Sequence, residues 1–284
     1  MFLILLSGRF SFSAGAMSVM LKGGETVYIL RKGVKVRTSK YDIRGSHGVY
    51  YETAGIVRLY GANIRSPNLK MRAETLHYYR KRKLLRLKGN AHFEDAYRVV
   101  KGDRIVAMGD SAWVVGNVFV EAKRRGVIIR GDSAFYDGKE AFGYVMGSAR
   151  ALIARRDTVE ISADMFIMHK DTTYGVGSVV ASSRKFKATG DTFRMIVRDT
   201  ILKSILIRGN AKVVWENGEG TSKEVEITFR DGYTEFVIFR DSARVVYTEN
   251  GSTIDVLGDE IRVYSEKDTL KHIFVRGLEE GRYR

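Results

Sequence analysis

The side chains best placed for chemistry in this 284-residue sequence are its bases. Arg80-Lys81-Arg82-Lys83, Lys123-Arg124-Arg125, Arg155-Arg156, and Arg184-Lys185 with Lys187 form clusters whose ammonium and guanidinium groups suit phosphate or carboxylate contact. Lysine plus arginine number 48 against 33 acidic residues, a formal charge of +15. Such an excess favours anionic partners without choosing among nucleic acid, anionic lipid and acidic glycan. Basic runs are also ordinary solvated surface, and lysines on exposed strands discourage edge pairing. The candidate phosphate contacts are Arg80, Arg82, Lys123, Arg124, Arg125, Arg155 and Arg156.

Other chemistries find no footing. His47, His77, His92, His169 and His272 are scattered without metal-ligand spacing, so no metal site is expected. The absence of cysteine excludes thiolate metal sites, cysteine nucleophiles and disulfides, and fits any compartment. No phosphate-binding G-x-x-x-x-G-K-[ST] loop occurs. A carboxylate pair could in principle act on a glycan, but aspartates concentrate at turn-like positions where they cap their own backbone. No catalytic residue and no cofactor is expected.

The elements that must carry the bases are strands. Leu85 to Asp95 reads L-R-L-K-G-N-A-H-F-E-D, alternating apolar and polar on both sides of Gly89-Asn90. The same wording returns at Ile205 to Trp215 and at Val237 to Tyr247, where Asp241-Ser242 replaces Gly-Asn. Marks of this first kind fall at Gly61, Gly89, Gly116, Gly147, Gly177, Gly209, Asp241 and, more loosely, Gly277. A second kind alternates with them at Gly45-Ser46, Ala73-Glu74, Gly102-Asp103, Gly131-Asp132, Ala163-Asp164, Gly190-Asp191, Lys223-Glu224 and Gly258-Asp259. A period near 30 residues over the whole chain signals stacked supersecondary units. Both marks read as turns, with two strands per half repeat, and Asp137-Gly138 reads as a tight hairpin turn. No apolar stripe of helical period survives between the marks, so helix is expected to be nearly absent.

The expected fold is all-β: an elongated, solenoid-like slot of two facing antiparallel sheets built from about eight such repeats. Two residues before the first mark lie Leu87, Val114, Val145, Ile207 and Phe239; four after it lie Phe93, Val120, Val213 and Val245. These are the candidate lining of the slot, with mutual core packing as the alternative. Residues 1–16 read as a possible signal peptide, with Phe2 to Leu6 as a short apolar run and Ala14-Gly15-Ala16 as the cleavage motif. Residues 17–284 read as one domain. No later run approaches the roughly 20 apolar residues of a membrane span.

The alternation of h-x-G-N-A-x-h and h-x-G-D-x-h, as in Leu87 to Phe93 with Lys101 to Ile105 and again in Ile207 to Val213, resembles the OstA-like family of periplasmic lipopolysaccharide-transport proteins over about residues 26–277. The resemblance implies a β-jellyroll and a non-enzymatic role in outer-membrane biogenesis. It implies lipid A acyl chains in the groove, the rim bases on the head-group phosphates, and end-to-end strand pairing with other jellyroll transport proteins or with copies of itself. The expected partner is lipopolysaccharide or another multi-acyl anionic lipid, not nucleic acid. A parallel β-helix adhesin or polysaccharide-binding or lyase protein is the alternative. On the carrier reading, aspartate at Phe93 and Val213 is expected to abolish acyl capture while sparing the β circular-dichroism signal.

Overall fold

The computed structural model describes residues 11–37, 42–123, 126–153, 158–198, 201–266 and 269–284. They form 21 strands and, among the described residues, no helix. The strands gather into two compact units, one of residues 1–124 and 130–145, the other of 125–129 and 146–284.

The first unit opens with β1 (Ser11–Ser13), β2 (Ala16–Lys22), β3 (Glu25–Arg31), β4 (Val34–Arg37), β5 (Asp42–Gly45) and β6 (His47–Tyr51). It continues with β7 (Ile56–Ser66), β8 (Leu69–Tyr79), β9 (Leu84–Asp95), β10 (Arg98–Met108) and β11 (Ser111–Ala122). Then β12 (Val127–Asp137) and β13 (Phe142–Ile153) contribute residues to both units. The second unit adds β14 (Val159–His169), β15 (Thr172–Ser182), β16 (Phe186–Arg198), β17 (Ile201–Trp215), β18 (Gly218–Arg230), β19 (Tyr233–Glu249), β20 (Ser252–Glu266) and β21 (Thr269–Tyr283).

The pairing of β7 explains the architecture. Its first half, from Ile56 to Tyr60, pairs with β6, whereas Asn63 to Arg65 pairs with β5. From β6 the ladder runs to β3 and β2, and from β5 to β4 and β1. One bent strand therefore enters two sheets, and β3 with β4, or β5 with β6, are the two halves of a strand interrupted at the bend. The sheets face each other: Phe12 of one packs against Tyr28 and Tyr50 of the other, with ring centroids 5.7 and 6.2 Å apart. In the second unit Trp215 and Phe186 meet Phe239 and Phe229 across the same divide, each pair at 6.3 Å.

The marks lie on this crease and are not turns, which corrects the expectation of two strands per half repeat. Each half repeat is one strand running through its mark. In β9 the pairing steps from His92 to Lys88 while β8 steps from Arg72 to Thr75, so β9 carries one extra residue, a β-bulge. Gly89 and Asn90 both adopt positive φ, 77° and 46°, and the Gly116-Asn117, Gly147-Ser148, Gly177-Ser178, Gly209-Asn210 and Asp241-Ser242 pairs repeat this. Along β8 the buried positions run Met71, Ala73 and then Leu76, Tyr78, so the inward face changes parity at the bend. The connections are made elsewhere, at Lys83, Gly109 or Asn250-Gly251, all with positive φ. Asp137 does cap its own turn, accepting hydrogen bonds from the Lys139 and Glu140 amides.

The second mark has a different task from the one its composition suggests. Its acid folds across the crease onto the first-mark glycine of the next strand: the carboxylates of Glu74, Asp103, Asp164, Asp191 and Asp259 occupy the space a Cβ would need at Gly89, Gly116, Gly177, Gly209 and Gly277. Asn90 Nδ2 donates to Glu74 Oε1 at 2.9 Å and Asn117 Nδ2 to Asp103 at 3.2 Å. The small residue before the acid leaves room for an inward side chain, Val114 over Gly102 and Ile207 over Gly190. In β18 the register puts Ser222-Lys223, not Lys223-Glu224, at the crease. Lys223 thus stands opposite Asp241, the one aspartate that replaces the first-mark glycine.

Candidate functional site: the apolar interior between facing sheets

Inward side chains from both sheets meet between the two arms of each bent strand. Leu87, Phe93, Val114, Val145, Ile207, Val213, Phe239 and Val245 are all buried there, Val145, Ile207, Phe239 and Val245 at 0% exposure. Val120 is half-buried. These side chains therefore face inward and pack against one another. Burial at this level also overturns the expectation that aspartate at Phe93 or Val213 leaves the fold intact, because an unpaired carboxylate in such a site costs several kcal/mol.

The interior of the second unit opens at one end of the strands. Phe186, Val213 and Trp215 of one sheet and Ile227, Thr234, Val237, Val263, Ser265 and Leu270 of the other enclose a cavity of about 80 Å³ with Lys185 at its edge. Its lining is apolar apart from the Thr234 and Ser265 hydroxyls, and Ser265 Oγ is already engaged, donating to the Thr234 carbonyl at 2.8 Å. The volume is well below the roughly 300–1,000 Å³ of small-molecule pockets, so a long chain enters only if the arms part about the crease. Of these residues only Val213 belongs to the predicted lining. Phe186, Trp215 and Leu270 lie further from the marks; Trp215, two positions beyond Val213, shares its face and was legible from the alternation.

The three predicted basic contacts among the described residues do not lie together. Arg80 and Arg82 lie in and beside the turn joining β8 to β9, at the end of those strands remote from Asp95. Lys123 lies at the opposite end, its Nζ 2.8 Å from Glu94 Oε1 and 3.0 Å from the Asp95 carbonyl. Arg124, Arg125, Arg155 and Arg156 lie outside the described residues.

Acid and base do assemble on the outer face of the second unit, where Arg208, Glu224, Arg240, Glu260 and Arg276 are direct neighbours on five successive strands. Arg208 Nε lies 2.7 Å and Arg240 Nη1 3.0 Å from Glu224, and Arg240 Nε 3.3 Å from Glu260. Partial burial pushes Glu224 and Glu260 up, but Arg208 and Arg240 beside Glu224, and Arg262, Arg276 and Arg240 beside Glu260, outweigh it and hold both carboxyls below their ordinary range. Carboxylates kept ionised in this way serve as counter-ions and are unsuited to donate a proton near neutral pH. Among the described residues, no group of three or more histidine or acidic side chains could hold a metal ion.

No family model and no curated protein matches this sequence. Among solved structures the chain is similar to LptH from Pseudomonas aeruginosa, described as the LptA homologous periplasmic component of the conserved lipopolysaccharide transport device. The identity is 9% and the TM-score 0.24, over 50% of this chain and 82% of that one. The class of fold stands on the strand pairing itself: an all-β protein of bent antiparallel strands, with two facing sheets and an apolar interior in each unit. All described strand pairs are antiparallel, which removes the parallel β-helix alternative.

Proposed function

We propose that this protein is a non-enzymatic carrier of a multi-acyl anionic lipid of the lipopolysaccharide type, working in the periplasm toward the outer membrane. The observation that carries the reading is the cavity between Phe186 and Trp215 on one sheet and Ile227, Val237 and Leu270 on the other. It continues the apolar interior outward and ends beside Lys185. Acyl chains enter there as the arms part, each buried CH₂ contributing about 0.8 kcal/mol, while the charged head group stays in water near the basic turns. Leu87, Phe93, Val114, Val120, Val145, Ile207, Val213, Phe239 and Val245 are the inward positions a chain would contact on further opening. Transfer of this kind needs no reaction. The two outermost strands suit end-to-end pairing with another jellyroll protein or a second copy: among the described residues β2 pairs with β3 alone and β21 with β20 alone. Along β2, Met17, Val19 and Leu21 are exposed.

Leu270, half-buried at the cavity, allows a test that spares the core. In Leu270→Glu the affinity for a fluorescent fatty acid is expected to fall at least tenfold, since a carboxylate at the mouth must be desolvated or repel the probe's own. The melting temperature should change by only a few degrees. Equal binding by the variant and the parent would contradict the assignment of this cavity.

A further inference from the structure

The outer face of the first unit repeats the geometry of the Arg208 to Arg276 ladder but not its charge balance. The equivalent row there is Tyr60, Thr75, Lys88, Arg104 and Val115, and the row beside it is Arg58, His77, Arg86, Val106 and Trp113. Lys88 is paired directly with Arg104, and Arg58 and Arg86 flank His77. Like charges directly opposite on a sheet are destabilising. In the second unit glutamates stand between the arginines; here none does. Among the described residues Arg58, Arg86, Lys88 and Arg104 form no ion pair, and Arg58 and Arg86 rest over the Tyr51 and Tyr79 rings at 5.2 and 5.3 Å. The nearby crease acids are engaged, Glu74 with Asn90 and Asp103 with Asn117. The Arg58 Nε–H is buried without a hydrogen-bond partner.

The surface between these side chains is concave. A depression of about 410 Å³ is lined by Thr75, His77, Arg86, Lys88, Arg104 and Val106, among others. Of the lining cations, Arg86 and Lys88 are two residues apart on β9, roughly 7 Å, and Arg104 on β10 is one strand spacing, roughly 5 Å, from Lys88. Three cations spread in this way suit an anion carrying more than one phosphate. Arginine and lysine together supply bidentate and point-charge donors to phosphate oxygens.

We propose that this depression is a binding site for a polyphosphorylated anion, held by Arg86, Lys88 and Arg104 with His77 at its edge. The depression lies on the outer face, bordered by Leu87 of the interior, and binding of an anion there does not depend on the interior's occupant. Desolvation, then Arg58, Arg86 and Lys88, depress the His77 pKa below its ordinary value, which favours the neutral imidazole when the site is empty. A bound anion offsets those cations and raises it, which makes His77 a reporter.

The test uses inorganic tripolyphosphate on the full chain, by calorimetry and by NMR titration of His77. The parent is expected to bind it with a rise in the His77 pKa. The triple variant Arg86→Gln, Lys88→Gln, Arg104→Gln should bind at least tenfold more weakly, with unchanged circular dichroism and unimpaired fatty-acid binding. Phosphatidylglycerol vesicles, against phosphatidylcholine vesicles, distinguish the source. Vesicle binding that tripolyphosphate competes away and the triple variant loses assigns the site to lipid phosphates, and tripolyphosphate binding alone assigns it to a soluble anion. Equal tripolyphosphate affinity in parent and triple variant, or an unmoved His77, overturns the proposal.

Discussion

Phe239→Ala is expected to lower stability by about 3–5 kcal/mol, the range for deleting a large buried ring. Phe239 has no exposed surface, its ring lies 6.3 Å from that of Trp215 on the facing sheet, and it covers Gly220 so closely that a Cβ there would overlap it. Truncation therefore removes contact with both sheets at once. The glycine opposite also leaves no side chain able to swing into the void. Urea denaturation followed by circular dichroism measures the loss, and Phe239→Leu, which keeps most of the volume, should recover more than half of it. A change below about 1 kcal/mol in the alanine variant would mean that the sheets do not depend on this ring to stay together.

Gly209→Val is expected to be comparably damaging, at about 2–5 kcal/mol, through two separable causes. The residue has a φ of 78°, which costs a side chain about 1–2 kcal/mol, more for a β-branched one. In addition the Asp191 carboxylate occupies the place of the new Cβ, a form of overpacking worth about 1–3 kcal/mol. The double variant Gly209→Val, Asp191→Ala should recover the second part and not the first, giving a coupling of at least about 1 kcal/mol in a double-mutant cycle. The protein contains its own precedent. Asp241 holds a φ of 64° at the matching position of β19, and there the opposing residue is Lys223 in place of an acid. Strictly additive losses in the cycle would show that the crease acid and the glycine are not interlocked.

Much of the fold was legible because its punctuation is periodic. The alternation around Gly89, Gly209 and Asp241 correctly identified strands and the inward residues Leu87, Ile207 and Phe239. The marks themselves were misread, since Gly-Asn between two extended runs has the same composition whether the chain reverses or bulges, and only the register with the neighbouring strand decides. The Lys32-Gly33 bend, with φ of 61° and 78°, escaped notice because the order of its residues is reversed relative to the other marks. The contact between Glu74 and Gly89 spans two strands and leaves no local signal. The outer charge ladder was within reach: the residue before four of the first marks is a base, Lys88, Arg208, Arg240 or Arg276, and those after the facing second marks include Arg104, Glu224 and Glu260. Reading bases as contiguous clusters, such as Arg80 to Lys83, concealed a pattern that exists only across strands.

The carrier reading is tested most directly by native mass spectrometry with lipid extraction on the full chain purified from an envelope in which it is expressed. The account predicts a mass shift matching a multi-acyl anionic lipid, recovered in the extract, and lost or strongly reduced in Leu270→Glu. A spectrum of the bare chain that does not shift on addition of such a lipid would contradict it, leaving the apolar interior as a packed core and nothing more.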